Sequence, residues 1–223
     1  MDLSPPIRDG KVDQAYANPR DEVTVLIPPT AKRILDVGSS VGIMGQALRR
    51  RGCTVTGIEM SPVFATEATG RLDKLISADV EVLAANDEDP GGPFDCVVMA
   101  DVLEHLRDPW SVTRWAAGLV APGGSLVISV PNIRHLQLLW SVGFRRRWPY
   151  RDVGLFDRTH LRWFALRNLP ELLDGTGFEI AELRRNFWLT ASDSRINRLA
   201  PRLGDLGTLQ FIFRAERAGG HEG

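Results

Sequence analysis

The sequence predicts an α/β fold with one doubly wound sheet of about seven strands, mostly parallel and covered by helices on both faces. Two observations predict this fold class. Strand-like and helix-like stretches alternate from residue 33 onward, which is the pattern of a parallel sheet covered by helices. The stretch from Phe94 to Ala100 is continuously apolar, as is typical of a parallel strand buried on both sides. At 223 residues the chain is long enough for one such domain with an elaboration.

Seven strands are predicted along the chain, at residues 33–37, 54–58, 75–78, 94–100, 125–130, 178–183 and 209–214. We expect the last strand to be antiparallel. Ser61 precedes a proline, so it provides an N-cap in front of a proline at the first helical position. A further helix is predicted after Asp108 and Pro109, ending at about Val120. The Pro-Gly-Gly sequence at 122–124 predicts a tight turn before the fifth strand.

The composition excludes several classes of protein. The chain is 43% hydrophobic and 25% charged with a net charge of −1, which excludes a disordered chain and a surface that is basic throughout. No apolar run is as long as a bilayer span, and the first ten residues lack the hydrophobic core of a secretory signal. Cys53 and Cys96 lie in apolar runs, as buried thiols do. We therefore expect a cytoplasmic protein with no membrane partner.

One segment differs from the rest in charge. Residues 134–167, here called the arginine-rich segment, contain eight arginines, no lysine and two acids, interleaved with aromatic residues. Its local charge of +6 stands against −7 for the remainder of the chain. We interpret it as a substrate cap inserted after the fifth strand, over the carboxyl edge of the sheet. The alternative is a solvated arginine face with its aromatic residues in the core.

The ends of the first three predicted strands carry acids and glycines. Asp36 is followed by Gly38 and Gly42, Glu59 stands 21 residues after Gly38, and Asp79 ends the third strand. Ligands of open α/β sheets bind at the carboxyl ends of the strands, where an acid can accept ribose hydroxyls. Three carboxylates suit a neutral or cationic ligand better than a dinucleotide. The alternative is an ordinary tight turn between strand and helix.

These residues resemble the motifs of the class I S-adenosylmethionine-dependent methyltransferases, whose sheet is Rossmann-like. Residues 34–42 resemble their first motif, Glu59 their ribose acid, Ala78 and Asp79 their adenine motif, and residues 122–132 the turn and fifth strand that follow. The resemblance implies S-adenosylmethionine as the cofactor and a methyltransferase domain at 33–223.

The resemblance also implies roles for further residues around that cofactor. Gly38 and Gly42 would line its methionine part, with Asp36 at the end of the strand before them. The adenine would lie between Met60 and Val80, and Ala100 would lie under the sulfonium. Residues 1–32 resemble an N-terminal helical lid, in which Tyr16 would close over the cofactor.

The candidate catalytic residues follow the fourth strand and lie in the arginine-rich segment. Separations of three and four residues would place Asp101, Glu104 and His105 on one face of a helical turn, and His160 would join them from the segment. The alternative is a capped helix start in which His105 only forms a hydrogen bond. His135 and His221 are assigned to the surface or to loops.

The same residues could hold a divalent metal ion. The arrangement resembles that of ubiquinone-biosynthesis O-methyltransferases and small-RNA 2′-O-methyltransferases, in which Glu-x-x-Glu-His and a later histidine hold a metal. Here Asp101 replaces the first glutamate. We favour a metal-free site in which His105 or His160 is the base, with a divalent metal as the alternative.

The predicted function is methyl transfer to a hydroxyl or amine of a small molecule such as a sugar, a glycan precursor or a phenolic natural product. An acceptor with an anionic part would suit the arginines and aromatic residues of the arginine-rich segment. Two alternatives stay open: an RNA 2′-O-methyltransferase or RNA-binding module that uses residues 145–147, and a nicotinamide-dependent dehydrogenase. Nucleic acid is not the favoured partner, and the protein is expected to be a monomer or homodimer.

Overall fold

Seven strands form one sheet in the computed structural model of this chain, which describes residues 7–8, 11–12, 19–187 and 200–219. In chain order the strands are β1 (Arg33–Val37), β2 (Thr54–Glu59), β3 (Lys74–Ser77), β4 (Phe94–Ala100), β5 (Val120–Pro131), β6 (Phe178–Asn186) and β7 (Gln210–Arg217). Their order in the sheet is β3-β2-β1-β4-β5-β7-β6. Adjacent strands from β3 to β5 are parallel, whereas β7 is antiparallel to both β5 and β6. The predicted fold class and the antiparallel last strand are confirmed.

The helices follow the strands in the predicted alternation. They are α1 (Asp21–Thr24), α2 (Ile43–Arg50), α3 (Pro62–Ala68), α4 (Val80–Ala85), α5 (Pro109–Gly118) and α6 (Leu136–Leu139). Short 3₁₀ turns occupy Leu103–His105, Leu166–Asn168, Pro170–Leu173 and Ala200–Leu206, and a π-helical turn occupies Trp140–Phe144. The predicted cap at Ser61 forms, because Ser61 accepts a hydrogen bond from the Phe64 amide. Asp108 caps α5 in the same way by accepting one from the Ser111 amide. Among these helices none combines the length and apolarity that a bilayer crossing requires.

Two apolar layers cover the sheet, one on each face. The alternation along β4 shows this, since Val97 and Met99 belong to one buried cluster while Cys96 and Val98 belong to the other. Successive side chains of a strand point to opposite faces, so β4 is buried on both sides, as its continuous apolar sequence predicts. Both cysteines are free thiols; Cys96 is buried and Cys53 is half-buried.

The structure differs from the prediction at the start of β5. The strand begins at Val120 instead of residue 125, because Val120 pairs with Phe94 before the turn and Ser125 pairs with Cys96 after it. The turn residues between them form an irregularity within the strand. Helix α4, which follows β3, was not among the predicted helices.

The N-terminal region is described only in part. It contains an antiparallel pair of two-residue strands, Ile7–Arg8 with Lys11–Val12, and the single turn of α1. The N-terminal lid expected at residues 1–32 therefore stays a prediction, and Tyr16 lies outside the described residues.

Candidate active site at the carboxyl edge of the sheet

The loop after β1 has the backbone of a close turn. Gly38, Ser40 and Gly42 have φ values of 71°, 50° and 76°, a region that glycine adopts without a steric penalty. The amides of Gly38 and Ser39 donate to the carbonyl oxygen of Ile58 at 2.8 and 3.0 Å. A Cβ atom at position 38 would collide with Cγ2 of Val102. The glycine is therefore required both by its conformation and by packing.

Glu59 joins this loop to the end of β2. Its two carboxylate oxygens accept hydrogen bonds from the Ser40 amide at 2.8 Å and the Ser61 amide at 2.7 Å. Burial raises the pKa of Glu59, and these backbone hydrogen bonds oppose the shift. Because a carboxylate oxygen accepts more than one hydrogen bond, both oxygens retain capacity for ligand hydroxyls.

Asp36 is a buried acid beside the same loop. It is 1% exposed, and its Oδ2 atom has no hydrogen-bond partner among the described residues. Burial, together with the neighbouring charge of Glu59, raises the pKa of Asp36 to about 7, against the opposing effect of Arg20. The two acids therefore favour a cationic ligand over an anionic one.

The remaining predicted cofactor residues lie along the same edge. Glu59 and Ser77 are paired at the ends of β2 and β3, so Asp79 follows at the adjacent strand end. The Asp79 carboxylate caps α4 by accepting the Glu81 amide at 2.8 Å. The Met60 side chain is exposed, whereas Val80 packs in the core. Ala100 ends β4 opposite Ser129 of β5.

Asp101 does not share a helical turn with Glu104 and His105, and that expectation is wrong. Its φ of 55° is left-handed, and the 3₁₀ turn begins only at Leu103. The Asp101 carboxylate accepts hydrogen bonds from Arg20, Ser129 and Gln210, at 2.6, 2.8 and 2.9 Å. It is thus fully engaged with the N-terminal segment, β5 and β7.

His105 is oriented by two residues of the arginine-rich segment. Its Nδ1 atom lies 2.9 Å from Oγ1 of Thr159, which in turn lies 2.6 Å from Oδ1 of Asp157. A hydroxyl has one proton, and a carboxylate only accepts. Thr159 therefore donates to Asp157 and accepts from Nδ1–H of His105, which leaves the lone pair of His105 on Nε2. This tautomer is inferred from the bonding pattern.

His160 and Glu104 lie against this histidine. The rings of His105 and His160 are 4.8 Å apart at their centroids in an edge-to-face arrangement. Burial and the neighbouring His105 lower the pKa of His160 to about 4, and burial also lowers the pKa of His105. Both rings are therefore neutral near pH 7 and can accept a proton.

Glu104 is a buried carboxyl group on the 3₁₀ turn. It is 2% exposed, and its Oε2 atom lacks a hydrogen-bond partner in the described ranges. Burial and the charge of Asp101 raise the pKa of Glu104 well above its ordinary value. The amides of Leu161 and Arg162 donate to its backbone carbonyl, which fixes the arginine-rich segment to the 3₁₀ turn.

Three of these groups have the arrangement of a possible metal site. Ligand atoms of Glu104, His105 and His160 all lie within 4.8 Å of one another. Two imidazoles and one carboxylate form a donor set that suits a divalent ion, and the unpartnered Glu104 oxygen is compatible with one. Asp101, the fourth expected ligand, is instead held by Arg20.

Sequence reasoning missed Asp157, Thr159 and the pairing of Arg20. The Asp-x-Thr spacing before His160 is a signal for the first two, since it is typical of a turn in which the acid binds the following hydroxyl and amide. His135, expected at the surface or in a loop, lies in the loop before α6 but not at the surface: it is 0% exposed and caps α6 by accepting from the Gln137 amide. His221 lies outside the described residues.

Residues 11–183 match the family described as a methyltransferase domain. The chain belongs to this methyltransferase family. A ubiquinone biosynthesis O-methyltransferase of Paracidovorax citrulli is 31% identical over 188 residues, covering 78% of this chain and 77% of that protein. A ubiquinone biosynthesis O-methyltransferase of Pseudomonas aeruginosa is 37% identical over 114 residues, which cover 50% of this chain and 49% of that protein. The chain thus spans about half the length of the first curated relatives it matches.

Solved structures of methyltransferases share the fold. An S-adenosylmethionine-dependent methyltransferase from Archaeoglobus fulgidus gives a TM-score of 0.62 at 16% identity, covering 92% of this methyltransferase and 93% of that chain. A magnesium protoporphyrin IX methyltransferase from Synechocystis, with S-adenosylhomocysteine bound, gives a TM-score of 0.56 at 19% identity. The match covers 83% of this chain and 74% of that chain. These likenesses confirm the Rossmann-like methyltransferase fold, and no support is found here for the dehydrogenase alternative.

Proposed function

We propose that this methyltransferase transfers a methyl group from S-adenosylmethionine to a hydroxyl of a small molecule. The observation that carries the proposal is the chain from Asp157 through Thr159 to His105, which leaves the lone pair of Nε2 at the carboxyl edge of the sheet. A hydroxyl acceptor benefits from a base that removes its proton as the new bond forms. The 31% identity to an O-methyltransferase supports the same class of acceptor.

The cofactor side of the site suits S-adenosylmethionine. The cofactor supplies a methyl group on a positively charged sulfonium. Asp36 and Glu59 place two acids at the end of neighbouring strands, which suits a cation and a ribose. Gly38 and Gly42 let the backbone approach the methionine part, while Met60 and Asp79 lie where the adenine is expected.

The acceptor side is built from His105, His160 and Glu104. We assign proton removal to His105 Nε2, whose tautomer is fixed by Thr159. We assign contact with the acceptor hydroxyl to His160, whose ring packs against that of His105, and to Glu104, whose ligand atom lies within 4.8 Å of those of both histidines. The arginine-rich segment serves as the substrate cap, since its residues 157–164 are hydrogen-bonded to the ends of β4 and β5 through Glu104 and Ile133. Should a divalent metal be bound, these three side chains would hold it and it would acidify the hydroxyl.

The acceptor class is best tested by a screen of radiolabelled methyl transfer. Sugar nucleotides, phenols, amines and RNA are offered in turn, and the binding of S-adenosylmethionine is measured separately by calorimetry. We expect transfer to a hydroxyl compound that is abolished in His105→Ala and His160→Ala, with cofactor binding unchanged. Failure to bind the cofactor at millimolar concentration would contradict the proposal, as would undiminished turnover in both variants. Transfer to RNA alone would favour the RNA methyltransferase alternative.

A further inference from the structure

A small cavity in the arginine-rich segment combines positive charge with aromatic walls. Its volume is about 290 Å³, and its lining includes Arg145, Arg147, Arg151, Trp140 and Phe156. Among the described residues that line it, none is acidic. A cavity of this size is at the lower end of those that hold small ligands.

The three arginines have no carboxylate partner within the part of the chain that the structure describes. The described ion pairs of the segment include Arg158 with Asp152, but none that uses Arg145, Arg147 or Arg151. Three guanidinium groups beside one cavity therefore have uncompensated charge. Guanidinium forks bind phosphate oxygens in pairs, and a singly charged carboxylate would leave most of that charge unbalanced.

The backbone places two of these arginines on the cavity. Arg146, which lies between them, has a φ of 52°, a left-handed conformation that costs a non-glycine residue free energy. Arg145 and Arg147 line the cavity while Arg146 does not. The turn is held by the amides of Arg145 and Arg147, which donate to Trp140 and Ser141, and by the Ser141 hydroxyl, which donates to the carbonyl of Arg147.

The cavity and the candidate catalytic residues draw on the same stretch of chain. Phe156 lines the cavity, and the next residue, Asp157, orients His105 through Thr159. One short stretch of the arginine-rich segment therefore contributes both to the cavity and to the orientation of His105. A non-reacting part of an acceptor is the kind of group that such a cavity would hold.

We propose that this cavity binds a phosphate or pyrophosphate group of the methyl acceptor, so that the acceptor is a phosphorylated or nucleotide-activated compound. The identification of the ligand as an acceptor rests on the proposed function. The phosphate chemistry rests on the three arginines alone. A phosphate that belongs to a lipid headgroup would present the same chemistry. This source is worth testing because exposed Leu139, Val142 and Phe144 lie nearby in the chain.

The test is calorimetric titration of the full chain with inorganic pyrophosphate. We expect binding that Arg145→Gln and Arg147→Gln each weaken about tenfold, while the matched control Arg146→Gln changes it less than about twofold. Equal weakening by all three substitutions would overturn the proposal, because it would show general surface charge instead of a site. Absence of pyrophosphate binding at millimolar concentration would overturn it as well.

Two further measurements distinguish the source of the phosphate and separate this proposal from the proposed function. Competition between pyrophosphate and phosphatidylglycerol vesicles, but not phosphatidylcholine vesicles, would support the site and indicate a lipid-linked phosphate. Sedimentation with phosphatidylglycerol vesicles without any pyrophosphate binding would overturn the proposal. S-adenosylmethionine is titrated independently, so a protein that binds pyrophosphate but not the cofactor retains the site and contradicts the proposed function.

Discussion

Arg20 and Asp101 form an ion pair in which Nη1 and Oδ2 are 2.6 Å apart. Both residues have left-handed backbones, with φ of 56° and 55°. The pair joins the N-terminal segment to the end of β4, beside Ala100. Both side chains are largely buried, at 17% and 26% exposure. The contact therefore fixes the N-terminal segment against the carboxyl edge of the sheet and occupies an acid that would otherwise be available to a metal.

We expect Arg20→Met to lower the free energy of unfolding by about 2 kcal/mol, because it leaves a half-buried carboxylate without its cation. Arg184→Met is the matched control, since Arg184 pairs with Glu182 at a more exposed position. Exposed pairs contribute at most about 1 kcal/mol. Urea unfolding of both variants measures the difference. Equal losses of stability would show that the Arg20 pair has no special structural role.

Thr159→Val should reduce kcat by about tenfold or more while leaving the binding of S-adenosylmethionine unchanged. Valine has the shape of threonine but lacks the hydroxyl that fixes the tautomer of His105. Thr159→Ser retains the hydroxyl and should retain most of the activity. The pH dependence of kcat should also shift in the valine variant alone. If serine and valine lower kcat equally, the hydroxyl does not position His105.

Chelation tests the metal-free interpretation. Because Asp101 is held by Arg20, the group that could hold an ion among the described residues is Glu104, His105 and His160. We expect methyl transfer to persist after treatment with EDTA and dialysis. Loss of activity that a divalent ion restores would instead assign these three residues as metal ligands and would replace the histidine base in the proposed reaction.

Gly38→Ala should lower the free energy of unfolding by roughly 2 to 4 kcal/mol. The new methyl group adds a left-handed backbone penalty of about 1 kcal/mol to a collision with Val102. Gly52→Ala is the matched control, since Gly52 has a φ of 84° with open space around it. This control should lose only the stability that the left-handed backbone penalty accounts for. Adding Val102→Ala to the Gly38→Ala variant should restore the stability that the collision removes. Unfolding in urea distinguishes these contributions.

The sequence was sufficient for the sheet because each strand carries its own signal. The burial of β4 on both faces, the cap at Ser61 and the glycines at 38 and 42 all follow from local patterns. The bounds of β1 and β4 agree with the prediction for this reason. The start of β5 was misplaced because the register shift depends on pairing with Phe94, which is not a local property.

The acceptor side was less predictable because it depends on contacts between distant segments. Thr159 and His105 are 54 residues apart, and Arg20 and Asp101 are 81 apart. The helical spacing of Asp101, Glu104 and His105 predicts one helical face, but Asp101 has a left-handed backbone and lies outside the 3₁₀ turn. The burial of His135 was not predictable, because a histidine that caps a helix has no acidic neighbour in sequence to reveal it.

The buried acid Asp36 leads to a prediction about pH. Burial raises the pKa of Asp36 to about 7 in the folded protein, whereas an unfolded aspartate titrates near 4. The stabilisation that results is complete below about pH 4 and is lost as the pH rises through about 7. The Tm of the ligand-free protein should therefore fall over this range by more than that of Asp36→Asn, in which the group cannot ionise.

The affinity for a cationic cofactor should rise with pH, whereas the stability of the ligand-free protein falls. Because the ionised form of Asp36 attracts a positive ligand, the affinity for S-adenosylmethionine should increase from pH 5 to about pH 8 in the wild-type protein and change less in Asp36→Asn. Calorimetry at several pH values measures both proteins, and Glu59, whose pKa is raised by burial as well, is present in each. Because the charges of Asp36 and Glu59 interact, the difference between the two curves reports the ionisation of Asp36 together with its coupling to Glu59. Parallel curves would show that Asp36 does not sense the charge of the cofactor.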